Sequence, residues 1–338
     1  MTITGRAIRR LVVATILVVT APAAAEDLSY FHIGTGSTAG TYFVIGGALA
    51  RLISQPPGAN NCQEGGHCGV PGLISVAQAT DGSLANIEAV ADGRIESALA
   101  QGDLVYRAYR GEGPFRRSGP HRNLRVIAHL YSESIHIVVR RSADIRSLRD
   151  LRGKRVSLDR RDSGTYADAV IVLKAFGLRE TNFIARYLEQ NRAVDAMLAE
   201  KLDAFFFVGG YPASGIADLA TRGLIDLLPI TGTRAAQAMA RYPFFLKDEI
   251  PAGTYPGIDR VETLSVGAQW IVSADVDEAR VYAITQALWN PANRRILDEA
   301  HPVGHGIRME RALDGVAIPL HPGAERFYRE VHLVESGS

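Results

Sequence analysis

Short apolar runs alternate with amphipathic segments along most of the chain, and this alternation constrains the fold more than any other feature. Apolar runs of strand length occur at 30–34, 95–101 and 204–208, and each precedes a segment with apolar residues at helical spacing. Strands that alternate with helices form parallel sheets covered by helices, because the helix carries the chain back to the start of the next strand. The pattern therefore predicts an α/β fold.

The alternation falls into two sets, which predicts two lobes. We expect lobe I to contain residues 26–134 and 270–338, and lobe II to contain residues 135–269. No long Pro/Gly-rich tether separates the sets, so strands near 131–134 and 266–271 are expected to cross between the lobes and act as a hinge. Separate strands are expected at 124–131 and 135–140.

The first 25 residues have the pattern of an export signal. Three arginines precede a short apolar run at 11–19, and Ala23 and Ala25 form a small-x-small cleavage site before Glu26. The apolar run is too short to cross a bilayer, which disfavours the alternative of a membrane anchor. We predict export to the periplasm of a mature protein that does not itself span the membrane.

Charge and cysteine content narrow the function further. Removal of residues 1–25 takes three arginines from the 37 basic residues and leaves 34 against 36 acidic ones, a net charge of −2. Nucleic-acid binding needs clustered positive charge, which this sequence lacks. Cys62 and Cys68 lie in a Gly- and Asn-rich loop, and such a pair forms a disulfide in an oxidising compartment. A zinc site that includes His67 would be one ligand short.

Four segments share one design, in which a strand ends in small or hydroxyl residues and a helix begins at once. They are residues 34–40, 80–83, 162–165 and 208–212. Ligands of α/β sheets bind beyond the carboxyl ends of the strands, where backbone N–H groups of a helix start attract anions. We expect turns of both lobes to face each other and clamp a carboxylate, although each turn alone is also compatible with an ordinary helix cap.

Motifs for catalysis or cofactors are missing from the sequence. It contains no G-x-S-x-G, and Gly40 lies one residue too far from Gly34 and Gly36 for a dinucleotide fingerprint. His301 and His305 are separated by Pro302 and Gly304, which disfavours a shared helical face. We therefore predict a binding protein without cofactor or metal, and keep an exported enzyme on a two-lobed scaffold as the alternative.

Several motifs together resemble the TAXI family of solute receptors for tripartite ATP-independent periplasmic (TRAP) transporters. The likeness extends over about residues 28–330. Its motifs lie at 33–42, 80–87, 100–103, 108–111, 207–212 and 319–324, and a less specific one lies at 150–156. The resemblance implies a type II periplasmic binding protein fold, integral-membrane TRAP subunits as partners, uptake driven by an ion gradient, and glutamate or a related small carboxylate as ligand.

Two departures from the family pattern lie near the expected cleft. Tyr211 stands where the family often has histidine, and residues 159–162 are more charged than the usual turn. Arg160 or Arg161 is available to pair with a second carboxylate, or to remain solvated at the rim. A role as ligand-sensing receptor for a signalling partner also stays open, because it uses the same binding chemistry.

The predicted solute is a small carboxylate, such as an amino acid, a keto acid or a dicarboxylic acid. Helix starts contribute about 0.3–1 kcal/mol each, whereas micromolar binding needs about 8 kcal/mol. Aromatic side chains are therefore expected to bury the apolar part of the solute. The predicted ligand-binding residues are Gly36, Ser37, Thr38, Gly40, Tyr42, Gly82, Ser83, Gln101, Ser163, Gly164, Thr165, Tyr166, Gly209 and Tyr211.

Overall fold

The computed structural model describes residues 28–334, except residues 37, 39, 61, 63–67 and 162. The predicted export signal at 1–25 lies outside the described residues and stays a prediction. Twelve strands are present in the described chain: β1 Ser29–Gly34, β2 Ser54–Gln55, β3 Val70–Pro71, β4 Leu73–Gln78, β5 Ser97–Gln101, β6 Leu124–Arg140, β7 Arg155–Ser157, β8 Ile184–Arg186, β9 Ala204–Gly209, β10 Ile225–Leu227, β11 Leu246–Ile250 and β12 Val261–Ser273.

Helices follow most of these strands, as the alternation predicts. The α-helices of the described chain are α1 Thr41–Ile53, α2 Ser83–Ala91, α3 Gly102–Arg110, α4 Gly164–Ala175, α5 Gln190–Leu198, α6 Ser214–Thr221, α7 Gly232–Arg241, α8 Glu278–Leu288, α9 Arg294–Ala300 and α10 Pro322–Glu330. Among the described residues, no helix is long and apolar enough to cross a membrane.

One large sheet runs through the molecule in the order β4-β1-β5-β12-β6-β9-β7-β8. Its two flanks are parallel, since β1 pairs in parallel with β4 and β5, and β7 pairs in parallel with β8 and β9. Its centre is antiparallel, because β12 pairs with β5 and β6, and β6 pairs with β9. The predicted α/β class is confirmed, and the parallel flanks account for the helices on both sides.

Two long strands connect the flanks. β6 is a single strand of 17 residues and β12 has 13, and they pair from Ser134–Ser265 through Tyr131–Ala268 to Leu124–Ser273. The prediction of separate strands at 124–131 and 135–140 is wrong. The polar residues 132–134 suggested a turn between two strands, but they belong to β6. The Ser134 hydroxyl donates to Asp248 Oδ2 at 2.6 Å.

Buried apolar side chains form clusters on either side of this crossing. Residues from 31–131 and 268–328 build the clusters of one lobe, and residues from 135–266 build those of the other. The two-lobed organisation is therefore confirmed, and the names lobe I and lobe II are kept for these halves. The residue limits predicted at 134/135 and 269/270 stay a prediction, as does the hinge motion.

The predicted disulfide between Cys62 and Cys68 is confirmed, with the two Cα atoms 4.8 Å apart. Asn293 fixes one end of this loop. Its Oδ1 accepts from the Cys68 backbone N–H at 2.8 Å, and its amide donates to the Cys68 carbonyl at 3.0 Å. Since Asn293 is fully buried beside α9, the loop is attached to the core of lobe I.

Candidate ligand-binding cleft

A cleft of about 570 Å³ lies between the lobes at the carboxyl ends of the parallel strands. All four turns predicted from the sequence contribute to it, two from each lobe. It contains most of the predicted ligand-binding residues, namely Gly36, Gly40, Tyr42, Gly82, Ser83, Gln101, Ser163, Gly164, Thr165 and Gly209. The remaining walls include Phe207 and His301.

Three described residues of the predicted set do not line this cleft. Thr38 is exposed outside it. The Tyr166 hydroxyl donates to Glu180 Oε1 at 2.7 Å, and the Tyr211 hydroxyl donates to the Glu249 carbonyl at 3.2 Å, so both rings are directed to other partners. Of the three tyrosines expected to form aromatic walls, Tyr42, Tyr166 and Tyr211, Tyr42 lines the cleft, and Phe207 adds an aromatic ring that was not predicted. Ser37 lies outside the described residues.

Four helix starts converge on the cleft. The first residues of α1, α2, α4 and α6 all lie near it: Thr41, Ser83, Gly164 and Ser214. The first turn of a helix has N–H groups without intrahelical partners and carries a partial positive charge. In the described structure, the N-cap residues of α1, α2 and α6 provide no side-chain cap. The arrangement therefore favours an anionic group of a ligand.

The hydroxyl groups at the start of α4 are already engaged within the protein. Ser163 Oγ accepts from the Tyr166 N–H at 3.1 Å and donates to the Arg160 carbonyl at 2.8 Å. Thr165 Oγ1 accepts from the Val208 N–H at 3.1 Å. The Ser163 hydroxyl thus has both a donor and an acceptor partner within the protein, so the backbone N–H groups of this helix start are better placed than Ser163 Oγ to meet a ligand.

Close contacts join the lobes on both sides of the cleft. A Cβ atom on Gly164 of lobe II would lie only 1.3 Å from Gln101 Oε1 of lobe I, so only glycine leaves room for this carboxamide. A Cβ atom on Gly210 would lie 2.9 Å from a methyl group of Val303. The lobes are therefore in contact around the cleft.

A buried carboxyl group lies at the crossing between the lobes. Glu133 on β6 lines the cleft, is 6% exposed, and its Oε2 accepts from the Tyr42 hydroxyl at 2.8 Å. Burial raises the pKa of Glu133 to about 8, against the lowering effect of the Tyr42 hydrogen bond. Sequence reasoning missed Glu133, although an acidic residue between two serines in an apolar stretch is a visible signal.

Near Glu133, two further carboxyl groups are buried, one from each lobe. Asp103 of α3 and Asp168 of α4 are fully buried, and Arg107 Nε lies 3.7 Å from Asp103 Oδ2. Burial raises the pKa of Asp103 to about 6 and that of Asp168 well above its usual range, the latter with a further contribution from the charge of Asp103. The wall behind the cleft is therefore acidic.

The sequence left open whether Arg160 or Arg161 lies in the cleft, and the structure places the two side chains differently. Arg160 lines the cleft. Arg161 lies over the Tyr187 ring, 3.9 Å from its centroid, and its Nη2 is 3.6 Å from Glu180 Oε2. Arg161 is thus held by the cluster that also engages Tyr166, away from the cleft lining.

Fold and cleft together define a two-lobed α/β protein whose candidate ligand site lies between its lobes. The chain belongs to the NMT1-like family, whose sequence profile it matches over residues 33–331. Among the described residues, no group of three or more His, Cys, Asp or Glu side chains is arranged to hold a metal ion.

Solved structures similar to this chain share little sequence with it. A protein from Bordetella bronchiseptica RB50 is 13% identical, with 91% of this chain and 82% of that chain covered and a TM-score of 0.50. The alkanesulfonate-binding protein SsuA from Xanthomonas axonopodis pv. citri, bound to MOPS, is 16% identical, with 90% and 85% covered and a TM-score of 0.48. The likeness to the Bordetella protein shows a common fold over most of the chain.

Proposed function

We propose that this protein is an extracytoplasmic solute receptor that binds a small carboxylate between its lobes and delivers it to integral-membrane transporter subunits. The observation that carries the proposal is the convergence of helix starts from both lobes on one cleft. Such starts attract anions, and a cleft between two lobes encloses most of a small ligand's surface. The ligand contacts proposed are the backbone N–H groups of these turns, with Tyr42 and Gln101 fixing the rest of the solute.

Binding is favoured over catalysis by the state of the polar side chains in the cleft. The Ser163 hydroxyl acts as a helix cap, and His301 Nδ1 accepts from the Val303 N–H at 3.2 Å. Partial burial lowers the pKa of His301, which favours the neutral ring. A nucleophile needs an adjacent base, and these two groups are each committed to backbone partners.

The transporter class is proposed from the resemblance to TAXI receptors. Two of the motifs that carry it, at 33–42 and 80–87, form cleft turns in lobe I. We therefore propose TRAP membrane subunits as partners and an ion gradient as the energy source. Deletion of the gene should abolish uptake of the solute by intact cells; unchanged uptake would instead favour the signalling role.

A periplasmic location is proposed from the predicted signal at 1–25 and is consistent with the Cys62–Cys68 disulfide, since disulfides persist in oxidising compartments. The mature chain should begin at or near Glu26. Intact-mass analysis of the protein from the periplasmic fraction tests this directly. A retained N-terminal segment, or recovery of the protein only from the cytoplasm, would contradict the proposal.

A thermal-shift screen of the mature protein tests the solute class. A ligand present at about 100 times its dissociation constant stabilises the folded state by roughly 2.7 kcal/mol, which raises the melting temperature by several degrees in a protein of this size. Amino acids, keto acids and dicarboxylates form the test set, and neutral sugars and simple cations form the control set. Shifts restricted to the control set would show that the solute is not a carboxylate.

A further inference from the structure

The charged side chains of the cleft are mostly acidic. Four carboxylates line it, those of Asp81, Glu133, Asp159 and Glu189, whereas Arg160 is the basic counterpart among the described lining residues. With Glu133 protonated, as its raised pKa implies near neutral pH, the other three carboxylates and Arg160 give a net charge of −2. An exclusively anionic solute would be attracted by the helix starts but repelled by this lining, and a dicarboxylate would meet the repulsion twice.

Glu133 is the carboxylate of this set that is most deeply placed. In the described structure, no Lys, Arg or His nitrogen lies within 4.0 Å of its oxygens. Besides burial, the groups that shift the pKa of Glu133 are Tyr42 of α1 and Asp103 of α3, and Glu133 in turn raises the pKa values of Tyr131 on β6 and Asp168 on α4. The nearby guanidinium of Arg107 lies against Asp103. A buried carboxylate without a cationic partner is unfavourable, and its raised pKa reflects this.

We propose that the solute is a zwitterion without net charge, and that Glu133 binds its cationic nitrogen. This inference rests on the proposed function and narrows the solute from small carboxylates to monocarboxylates with a protonated amino group. Tyr42 connects the helix start proposed for the solute carboxylate with Glu133, proposed for the solute ammonium group. Its backbone belongs to the first turn of α1, one of the helix starts proposed to hold the solute carboxylate, and its hydroxyl donates to Glu133 at 2.8 Å.

Binding of a cation beside Glu133 favours the ionised carboxylate, because an opposite charge lowers the pKa of an acid. Near neutral pH, the free protein holds a proton on Glu133 that the complex does not need. Complex formation should therefore release a proton to the buffer. Calorimetric titrations in two buffers with different ionisation enthalpies would measure this release.

The decisive experiment compares matched solutes. The twenty genetically encoded amino acids and the 2-keto acids derived from them are screened by thermal shift, and the dissociation constants of all pairs that respond are measured. We expect a neutral amino acid to bind at least about tenfold more tightly than its 2-keto acid and than glutamate. Equal or tighter binding of the keto acid would overturn this inference and leave the proposed function intact. A response from neither set would overturn this inference, and if the dicarboxylates of the earlier screen also gave no shift, the proposed function would fall with it.

Substitutions test whether Glu133 binds the cationic nitrogen of the solute. Glu133→Gln retains an acceptor for the Tyr42 hydroxyl, and it should weaken amino-acid binding at least about tenfold and abolish proton release, without weakening keto-acid binding. Glu262→Gln on β12, outside the cleft lining, is the matched control and should bind as the wild type does. A melting temperature measured without solute confirms that each variant is folded. Wild-type amino-acid affinity in Glu133→Gln would overturn the assignment.

Discussion

At the scale of single residues, Gly164 is the position where space matters most. An added methyl group would displace the Gln101 carboxamide, which lines the cleft from the opposite lobe. We expect Gly164→Ala to weaken solute binding by about tenfold, equivalent to about 1.4 kcal/mol, while the free energy of unfolding changes little because the displaced group is the end of a flexible side chain. Calorimetry and denaturant unfolding measure the two effects.

Gly47 provides the matched control for that substitution. It lies within α1, is exposed, and has open space around the position of a Cβ atom. Because glycine costs about 0.5–1 kcal/mol relative to alanine in a helix interior, Gly47→Ala should stabilise the protein by that amount and leave binding unchanged. If both glycine variants lose binding equally, the effect of Gly164→Ala is not local to the cleft.

The raised pKa of Glu133 predicts a specific pH dependence of the free energy of unfolding in the absence of solute. Its pKa in the folded protein is raised from 4.5 to about 8, so the folded state holds the proton more tightly than the unfolded chain. This stabilising contribution is complete below pH 4.5 and is lost as the pH rises through about 8. Glu133→Gln should therefore be more stable than wild type at pH 9, by roughly 1 kcal/mol or more.

Denaturant unfolding at pH 5 and pH 9 is the measurement, and the difference between the two proteins should be much smaller at pH 5. An equal difference at both pH values would show that Glu133 does not titrate with a raised pKa.

The cleft turns were predictable because each is a contiguous motif with a local mechanism, a strand end followed directly by a helix start. The acidic lining was not predictable in the same way. Asp81 and Asp159 lie in segments that the sequence already placed near the cleft, but Glu133 and Glu189 come from other elements. Because acidic residues are mostly exposed in folded proteins, no local pattern indicated that all four would meet. Tyr166 was predicted to contact the ligand, but its hydroxyl donates to Glu180, which lies beyond the end of α4 and could not be recognised as its partner from the local sequence.

At the scale of secondary-structure elements, Asp203 holds three strands of lobe II together. Its carboxylate accepts from the Arg155 N–H at 2.8 Å, from Arg155 Nε at 2.9 Å and from Arg140 Nη2 at 3.0 Å. These hydrogen bonds hold the pKa of Asp203 well below its usual range. We expect Asp203→Asn to destabilise the protein by about 1.5–3 kcal/mol near pH 7.

The sign of the pH effect separates this contribution from simple packing. Because the pKa of Asp203 is lowered in the folded state, its ionised carboxylate stabilises the protein above the ordinary pKa of 3.8, and this contribution is lost as the pH falls. The difference in the free energy of unfolding between wild type and Asp203→Asn should therefore shrink in acid. Asp226, paired with Arg141 on the surface, is the control. Asp226→Asn should cost less than about 1 kcal/mol. Equal losses in both variants would contradict the role assigned to Asp203.

Most elements followed from periodicity, but the long crossing strand did not. The apolar residues of β6 are interrupted at 132–134, and a polar interruption at strand spacing normally marks a turn. In the folded protein, these polar groups find partners from other elements, such as Asp248 for Ser134 and Tyr42 for Glu133. Tertiary contacts of this kind have no local sequence signal.

At the scale of the whole molecule, the crossing of β6 and β12 is the natural place for movement between the lobes. Closure about a hinge is a general response of such folds to a ligand. The contacts of Gln101 with Gly164 and of Val303 with Gly210 join the lobes in the present arrangement. Small-angle scattering should therefore show a smaller radius of gyration with saturating solute than without it. An unchanged radius would contradict hinge closure.

The central claim is that one small solute binds in the cleft between the lobes, and calorimetric titration tests it most directly. The best carboxylate from the screen should bind with one site per chain. Ser214→Trp places a large ring at the exposed start of α6 in the cleft and should abolish binding, whereas Thr233→Trp at the exposed start of α7, outside the lining, should not. Unaltered binding by Ser214→Trp, or a stoichiometry other than one, would contradict the cleft as the binding site.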